Sequence, residues 1–356
     1  MAHPLERIPG RQINIQGKVY AYFGGTAYLG LQSHPPFMDL FHSCVATFGM
    51  HHGSSRKSNV SLRVYAQAEE HLADWMGSES CLSMSSGFLA AQLVVQTLIG
   101  RGHALFLAPH AHPALQGSGV VVSASFAELS EKIQGEIDKG GPLPVLLFDT
   151  IDISGKLYPQ FEALKDLPLD KLILVGDDSH GIGIVGKDGT GCHTLLKALE
   201  PAKLLVCCSL GKGLGVQAGA VFGPKVDLDM LRETAFYGGA SPSSPALMGC
   251  LLKAGDIYAQ RRQKLLENYA RFEDKLDCPQ YFDHLRGHPT FEFREASMAR
   301  ALEQKGFIIT HFNYPDAQGP LVGRIVLSAH HEPGDIDALA NCLNDLLAQG
   351  PLSHNA

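Results

Sequence analysis

A lone lysine set among glycines, in Ser209-Leu210-Gly211-Lys212-Gly213-Leu214-Gly215, directly follows the apolar run Leu204 to Cys208. The pattern predicts a strand that ends in an exposed amine. On a turn poor in side chains, that amine is open to a flat aldehyde ring, and in a partly desolvated pocket it loses its proton readily enough to form a Schiff base. The same heptapeptide also suits a phosphate-cradling turn, or a plain strand-to-helix turn with a solvated lysine.

Upstream, the apolar segment Leu172 to Val175 runs into Gly176-Asp177-Asp178-Ser179-His180-Gly181-Ile182-Gly183. An acid and a histidine three residues apart therefore sit where a buried strand reaches its carboxyl edge, which is the edge at which open α/β sheets bind ligands. Pyridoxal phosphate (PLP) needs an acid opposite its ring nitrogen, because a protonated ring accepts electrons from a carbanion. Asp177 is the candidate. His180 is placed to hydrogen-bond the ring phenol oxygen. An Asp-Asp-Ser turn cap beside a surface histidine is the plainer alternative.

Together these two segments resemble the α-oxoamine synthase family of PLP enzymes, and the similarity extends from Tyr28-Leu29-Gly30-Leu31 to Ala329-His330-His331-Glu332. The resemblance implies a fold-type-I PLP-dependent transferase. Its large domain would hold a mostly parallel, seven-stranded-type sheet between helices, with a smaller C-terminal α+β domain. It also implies a homodimer with an active site shared between subunits. The implied reaction condenses a small amino acid with an acyl-CoA thioester to give an α-amino ketone.

Carried over residue by residue, the resemblance makes Lys212 the Schiff-base lysine, Ser209 a phosphate-binding hydroxyl, Asp177 the ring-nitrogen acid and His180 the phenol-side histidine. Ser86-Gly87-Phe88 matches the family's Ser-Gly-Phe turn, and the free amides opening the apolar helix Phe88 to Ile99 suit a phosphate. Arg324 matches the arginine that clamps the amino-acid carboxylate, for which a planar fork is the natural partner; on its own it also fits an edge strand in water. For the histidine stacked on the ring, Pro109-His110-Ala111-His112-Pro113 offers two candidates. His110 is favoured because alanine follows it, and His112 stays open. Arg56, in Gly53-Ser54-Ser55-Arg56, aligns with an arginine of a substrate loop and suits phosphate binding, carboxylate binding or loop packing.

Three positions depart from the family pattern. Thr26 stands where asparagine is usual, Asp152 where a serine contacts the cofactor, and Gly239 lies where relatives place a Ser-Thr pair that reaches the neighbouring subunit's phosphate. These departures bear on the condensation rather than on the cofactor. They leave room for a PLP-dependent lyase or aminotransferase on the same scaffold. From another class, His110, His112, Asp177, Asp178 and His180 could be drawn as a zinc site of a hydrolase, but that drawing leaves Lys212 and its glycines without a role.

The elements that must position these residues follow from the rest of the chain. Its 356 residues, 45% hydrophobic and 18% charged, suffice for a large core and a smaller domain. A net charge of -7 gives no basic footprint for nucleic acid. The eight cysteines form no C-x-x-C pair and read as reduced core residues of a cytoplasmic protein. No apolar stretch is long enough to span a bilayer, and no signal peptide opens the sequence. Helices and strands alternate from Val64 onward, as a mostly parallel sheet requires. The expected organisation is an N-terminal segment (1–50), a large cofactor-binding domain (51–245), and a connecting helix with a small C-terminal domain (246–356). A single long helix is expected from Leu247 to Leu276. The last helix is expected to bury Ile336, Leu339, Leu343, Leu346 and Leu347 along one face.

Overall fold

The computed structural model describes residues 3–156 and 161–348. Strands β1 (Gln12–Ile15) and β2 (Lys18–Phe23) open it as an antiparallel pair. The following strands are β3 (Ser80–Met84), β4 (Leu105–Leu107), β5 (Val121–Val122), β6 (Val145–Asp149), β7 (Ile173–Asp177), β8 (Lys203–Ser209) and β9 (Gly219–Gly223). They form one seven-stranded sheet in the order β3-β9-β8-β7-β6-β4-β5. Pairing is parallel from β8 through β7, β6 and β4 to β5, while β9 runs antiparallel to both its neighbours.

This sheet belongs to one compact unit, Asp39–Ile151 with Gln160–Gly255. Its central strands are apolar at successive positions instead of alternating. Val145, Leu146, Leu147 and Phe148 of β6 are all fully buried, as expected of a parallel sheet covered on both faces. The vicinal pair Cys207-Cys208 is buried within β8, and burial pushes both thiols well above their ordinary range. All eight cysteines are free thiols. The helix Gly87–Gly100 is apolar nearly throughout; it buries Ala90, Ala91, Leu93, Val94, Val95 and Leu98, and packs on β8 and β9. Burying each of its large aliphatic side chains contributes about 1.5–3 kcal/mol.

The second unit, Met1–Met38, Asp152–Pro159 and Asp256–Ala356, gathers strands from both ends of the chain. With β10 (Thr290–Glu292), β11 (Phe307–Asn313) and β12 (Leu321–Val326), the opening strands make a five-stranded sheet in the order β1-β2-β11-β12-β10. Here β2 pairs parallel with β11, Phe307 lying opposite Ala21. The closing helix Pro333–Leu347 has Pro333 in its first turn and a capping box between Glu332 and Asp335. Ile336, Leu339, Leu343 and Leu347 form its buried stripe, and Leu346 lies half-buried at the margin.

One expected element divides in two. In place of a single helix from Leu247 to Leu276, there are helices Pro245–Lys253 and Gly255–Lys275, interrupted at Ala254. Gly255 lowers the cost of leaving the helix there, and Asp256 suits the opening turn of the second helix, where a negative charge complements the free amides.

Candidate active site

Lys212 stands on the short turn Leu210–Gly213 that follows β8, and Ser209 caps that turn by accepting from the Gly211 amide. Its Nζ lies 2.9 Å from Nε2 of His180. His180 comes from the loop after β7, a neighbouring parallel strand, so two strand ends bring these side chains together. Asp177 is the last residue of β7 and is 8% exposed; its Oδ1 accepts the Ser179 amide at 2.9 Å. Ser179 Oγ in turn accepts the Ser209 amide at 2.8 Å, which fastens the β7 loop to the end of β8.

Ser86 caps the helix Gly87–Gly100, its hydroxyl accepting from the Leu89 amide. Gly87 is pressed against Ser209: a Cβ there would lie 2.7 Å from the N, Cα and Cβ of that serine. Ser86, Gly87 and Ser209 thus form one close backbone cradle, into which no larger residue fits at Gly87. Phe88, beside it, is 55% exposed.

Of the two candidate histidines, His110 is exposed and takes a left-handed backbone, φ 63°. His112 is half-buried, and its amide donates to Asp149 Oδ1 at 3.1 Å. Burial depresses the His112 pKa; Asp177 opposes that shift and Lys212 adds to it, so this imidazole feels both residues. His112 therefore lies within electrostatic reach of Lys212 and Asp177.

Arg56 is engaged with its own unit. Its Nη1 donates to Glu69 Oε1 and to Ser83 Oγ, each at 2.9 Å, and its guanidinium lies 4.3 Å from the centroid of the Tyr65 ring. Burial opposes the Arg56 charge, but Glu69 outweighs it and the pKa is raised. Arg324 lies in the other unit, on β12. Its Nε and Nη2 both approach Glu292 Oε1, at 2.8 and 2.7 Å, from the directly opposite position on β10. In the same unit Tyr28 is fully buried, which pushes its hydroxyl pKa up to about 12 against smaller opposing effects of Thr290 and Arg324.

The three departing positions have the following local settings. The Thr26 carbonyl accepts the Tyr28 amide. Asp152 Oδ1 accepts the amide and hydroxyl of Ser154 at 3.1 and 2.6 Å, as in an Asx turn. Gly239 ends the helix Ala235–Gly239, with open space where a Cβ would be. Among the described residues, no three His, Cys, Asp or Glu side chains converge as a metal-binding set, so the drawn zinc site is not assembled.

Two residues went unremarked in the sequence, Asp149 and Thr150. They follow the apolar run of β6, with Asp149 directly across from Asp177. An acid and a hydroxyl at the carboxyl end of a buried parallel strand were the available signal.

No family model matches the chain. Over 351 residues it is 27% identical to the 8-amino-7-oxononanoate synthase of Aliivibrio fischeri, covering 93% of the chain and 90% of that relative. The corresponding enzyme of Chromobacterium violaceum is 28% identical over 357 residues, with 95% and 92% covered. The chain is related to the α-oxoamine synthases. Solved structures agree on the fold. A Sphingomonas wittichii serine palmitoyltransferase superposes with a TM-score of 0.81 at 16% identity, covering 98% of this chain and 93% of the other. A serine palmitoyltransferase variant from S. paucimobilis, solved with a bound PLP–myriocin aldimine, gives 0.77 at 17% identity, with 97% and 92% covered. The 8-amino-7-oxononanoate synthase of Francisella tularensis gives 0.69 at 19%, with 93% and 98% covered. The architecture is that of fold-type-I PLP enzymes, as the α-oxoamine resemblance implied.

Proposed function

We propose that this chain is a PLP-dependent acyltransferase that condenses a small amino acid with an acyl-CoA thioester to give an α-amino ketone. The observation that carries the proposal is the 2.9 Å pairing of Lys212 Nζ with His180 at a sheet edge that also ends in Asp177. The residues fit the cofactor. The tight Ser86, Gly87 and Ser209 cradle offers amides and hydroxyls to a phosphate. Asp177 is the carboxylate for a ring nitrogen, His180 the partner for a phenol oxygen, and Lys212 the amine for an aldehyde. When bound, PLP supplies an electron-accepting ring that stabilises a carbanion next to the amino group of its substrate.

The chain's own groups do the remaining work. Asp177 holds a proton on the ring nitrogen by charge. His112 offers the imidazole face on the β6 side of the site, the role first sought at His110. Lys212, once its amine is released, is the base at the amino-acid α-carbon. By the family resemblance Arg324 is the clamp for the substrate carboxylate, which would take the place of Glu292 on its fork. Arg56 serves this site indirectly, through the loop it pins. Among the described residues no helix is long and apolar enough to cross a membrane. The eight free thiols favour a cytoplasmic setting. The family resemblance favours a homodimer.

Borohydride reduction after PLP addition, followed by peptide mapping, is expected to leave a pyridoxyl group on Lys212. Thiol release from acyl-CoA in the presence of glycine, alanine or serine then reports the condensation. Labelling of another lysine overturns the site assignment. Labelled Lys212 without amino-acid-dependent thiol release overturns the acyltransferase reading and leaves a lyase or aminotransferase.

A further inference from the structure

Asp178 is 0% exposed, directly beside the ring-nitrogen acid. Its Oδ1 accepts the Thr150 hydroxyl at 2.5 Å and its Oδ2 accepts the Cys192 amide at 3.0 Å. Thr150 ties itself further to this edge, its amide donating to the Asp177 carbonyl at 2.9 Å. The carbonyl of Asp178 receives the amides of Gly181 and Ile182, and its own amide donates to Cys207 of β8 at 2.8 Å. Two glycines crowd the carboxylate. A Cβ at Gly181 would overlap Oδ1, and one at Gly191, which also has φ +72°, would overlap Oδ2. The loop that carries His180 is thus wrapped around one carboxylate, which reaches Thr150 after β6, while the Asp178 amide ties the loop to β8.

We propose that Asp178 is a positioning residue: by holding Thr150 and Cys192 on its two oxygens, it fixes the 178–192 loop and so sets His180 against Lys212. The inference rests on the proposed cofactor site, because positioning His180 matters only if that imidazole meets the cofactor. Thr150 is the second member of the device. Its hydroxyl bridges from β6 to the carboxylate, and a methyl in its place would leave one oxygen of a buried carboxyl without a donor, the costly half of a broken pair. Burial pushes the Asp178 carboxyl up to about 6, with its hydrogen bonds to Thr150 and Cys192 opposing.

The test compares wild type, Asp178→Asn, Thr150→Val and Thr150→Ser in the full chain. Ring nitrogen shifts of His180 are read from long-range proton-nitrogen correlation spectra before PLP is added, assigned with His180→Asn. The PLP dissociation constant is then measured by absorbance titration, and far-ultraviolet circular dichroism checks folding. Asp178→Asn and Thr150→Val are expected to move the His180 resonances and to weaken PLP by about tenfold, the scale of one lost charge-assisted hydrogen bond. Thr150→Ser, which keeps the hydroxyl, should return both readouts to within about twofold of wild type. If Asp178→Asn does not fold, the Thr150 pair decides. Folded Thr150→Val with unmoved His180 resonances and wild-type PLP affinity overturns the proposal. Moved resonances in a chain that binds no PLP even as wild type would instead overturn the cofactor reading, because the resonance shift needs no cofactor.

Discussion

Replacing the guanidinium of Arg56 by an apolar end of similar reach, in Arg56→Met, tests whether this residue is structural or binds substrate. Glu69 Oε1 receives Arg56 Nη1 at 2.9 Å, the Ser83 amide at 2.9 Å and the Ser83 hydroxyl at 2.6 Å. The two charged side chains are only 11% and 8% exposed. Without Arg56, the nearest remaining cation is Arg232, 3.7 Å from the other oxygen of Glu69. Stranding one partner of a buried ion pair costs about 3–5 kcal/mol. In a unit of roughly two hundred residues, 1 kcal/mol lowers Tm by about 2–4 °C. Arg56→Met is therefore expected to melt about 6–20 °C below wild type, with Glu69→Gln close behind. The double variant should fall well short of the sum, with a coupling above about 1.5 kcal/mol. Thermal melts followed by circular dichroism, with urea titrations for the coupling, measure this directly. A Tm within about 2 °C of wild type, together with a raised KM for the amino acid or acyl-CoA, would refute the structural assignment and make Arg56 a substrate ligand.

Other expectations are equally concrete. His331 is fully buried and its pKa is depressed to about 4, by burial first, with its hydrogen bond to the Tyr22 carbonyl opposing. The folded chain therefore resists protonation that the unfolded chain accepts. This stabilisation is complete above pH ~6.5 and is lost as pH falls toward 4, by about 3 kcal/mol in full. Urea midpoints between pH 4.5 and 7.5 should show that slope, and His331→Gln should flatten it; an unchanged slope refutes the assignment. Gly87→Ala should drive a methyl into Ser209, destabilise the chain by about 1–3 kcal/mol and weaken PLP binding; wild-type values for both would mean the cradle yields freely. His112→Ala should weaken PLP by about tenfold, as loss of an aromatic contact does, while His110→Ala should stay within about twofold. The reverse order would return the stacking role to His110.

The sequence was most readable where chemistry and periodicity coincide. An apolar run that stops at Asp177, and another that stops before a glycine-flanked lysine, marked two strand ends that the structure places side by side with Lys212 and His180 in contact. Short or polar elements were less visible. β3, with the sequence Ser-Cys-Leu-Ser-Met, carries two serines and no clean alternation, so only its pairing with β9 defines it as a strand. The partner of β2 could not be read locally, because it lies at the far end of the chain. The choice between His110 and His112 could not be made locally either, since the direction of an imidazole after a strand depends on the turn that follows. Arg56 and Glu69 lie 13 residues apart in the sequence, and no local pattern joins them. That the two form a buried pair is a tertiary fact, set by where the helix Arg63–Met76 lies against β3.

The parallel pairing of β2 with β11 sets an order on synthesis. A ribosome delivers Ala21 nearly three hundred residues before Phe307, its ladder partner, which at ordinary elongation rates is roughly 15–60 s. Throughout that interval the β1–β2 hairpin has no neighbour for the β2 edge, and two strands alone are at best marginally stable in water. The unit containing the seven-stranded sheet has all its residues in hand by Gly255, about a hundred residues before the chain ends. The nascent chain can therefore finish the Lys212 half first, while the β2 edge waits unpaired until β11 emerges.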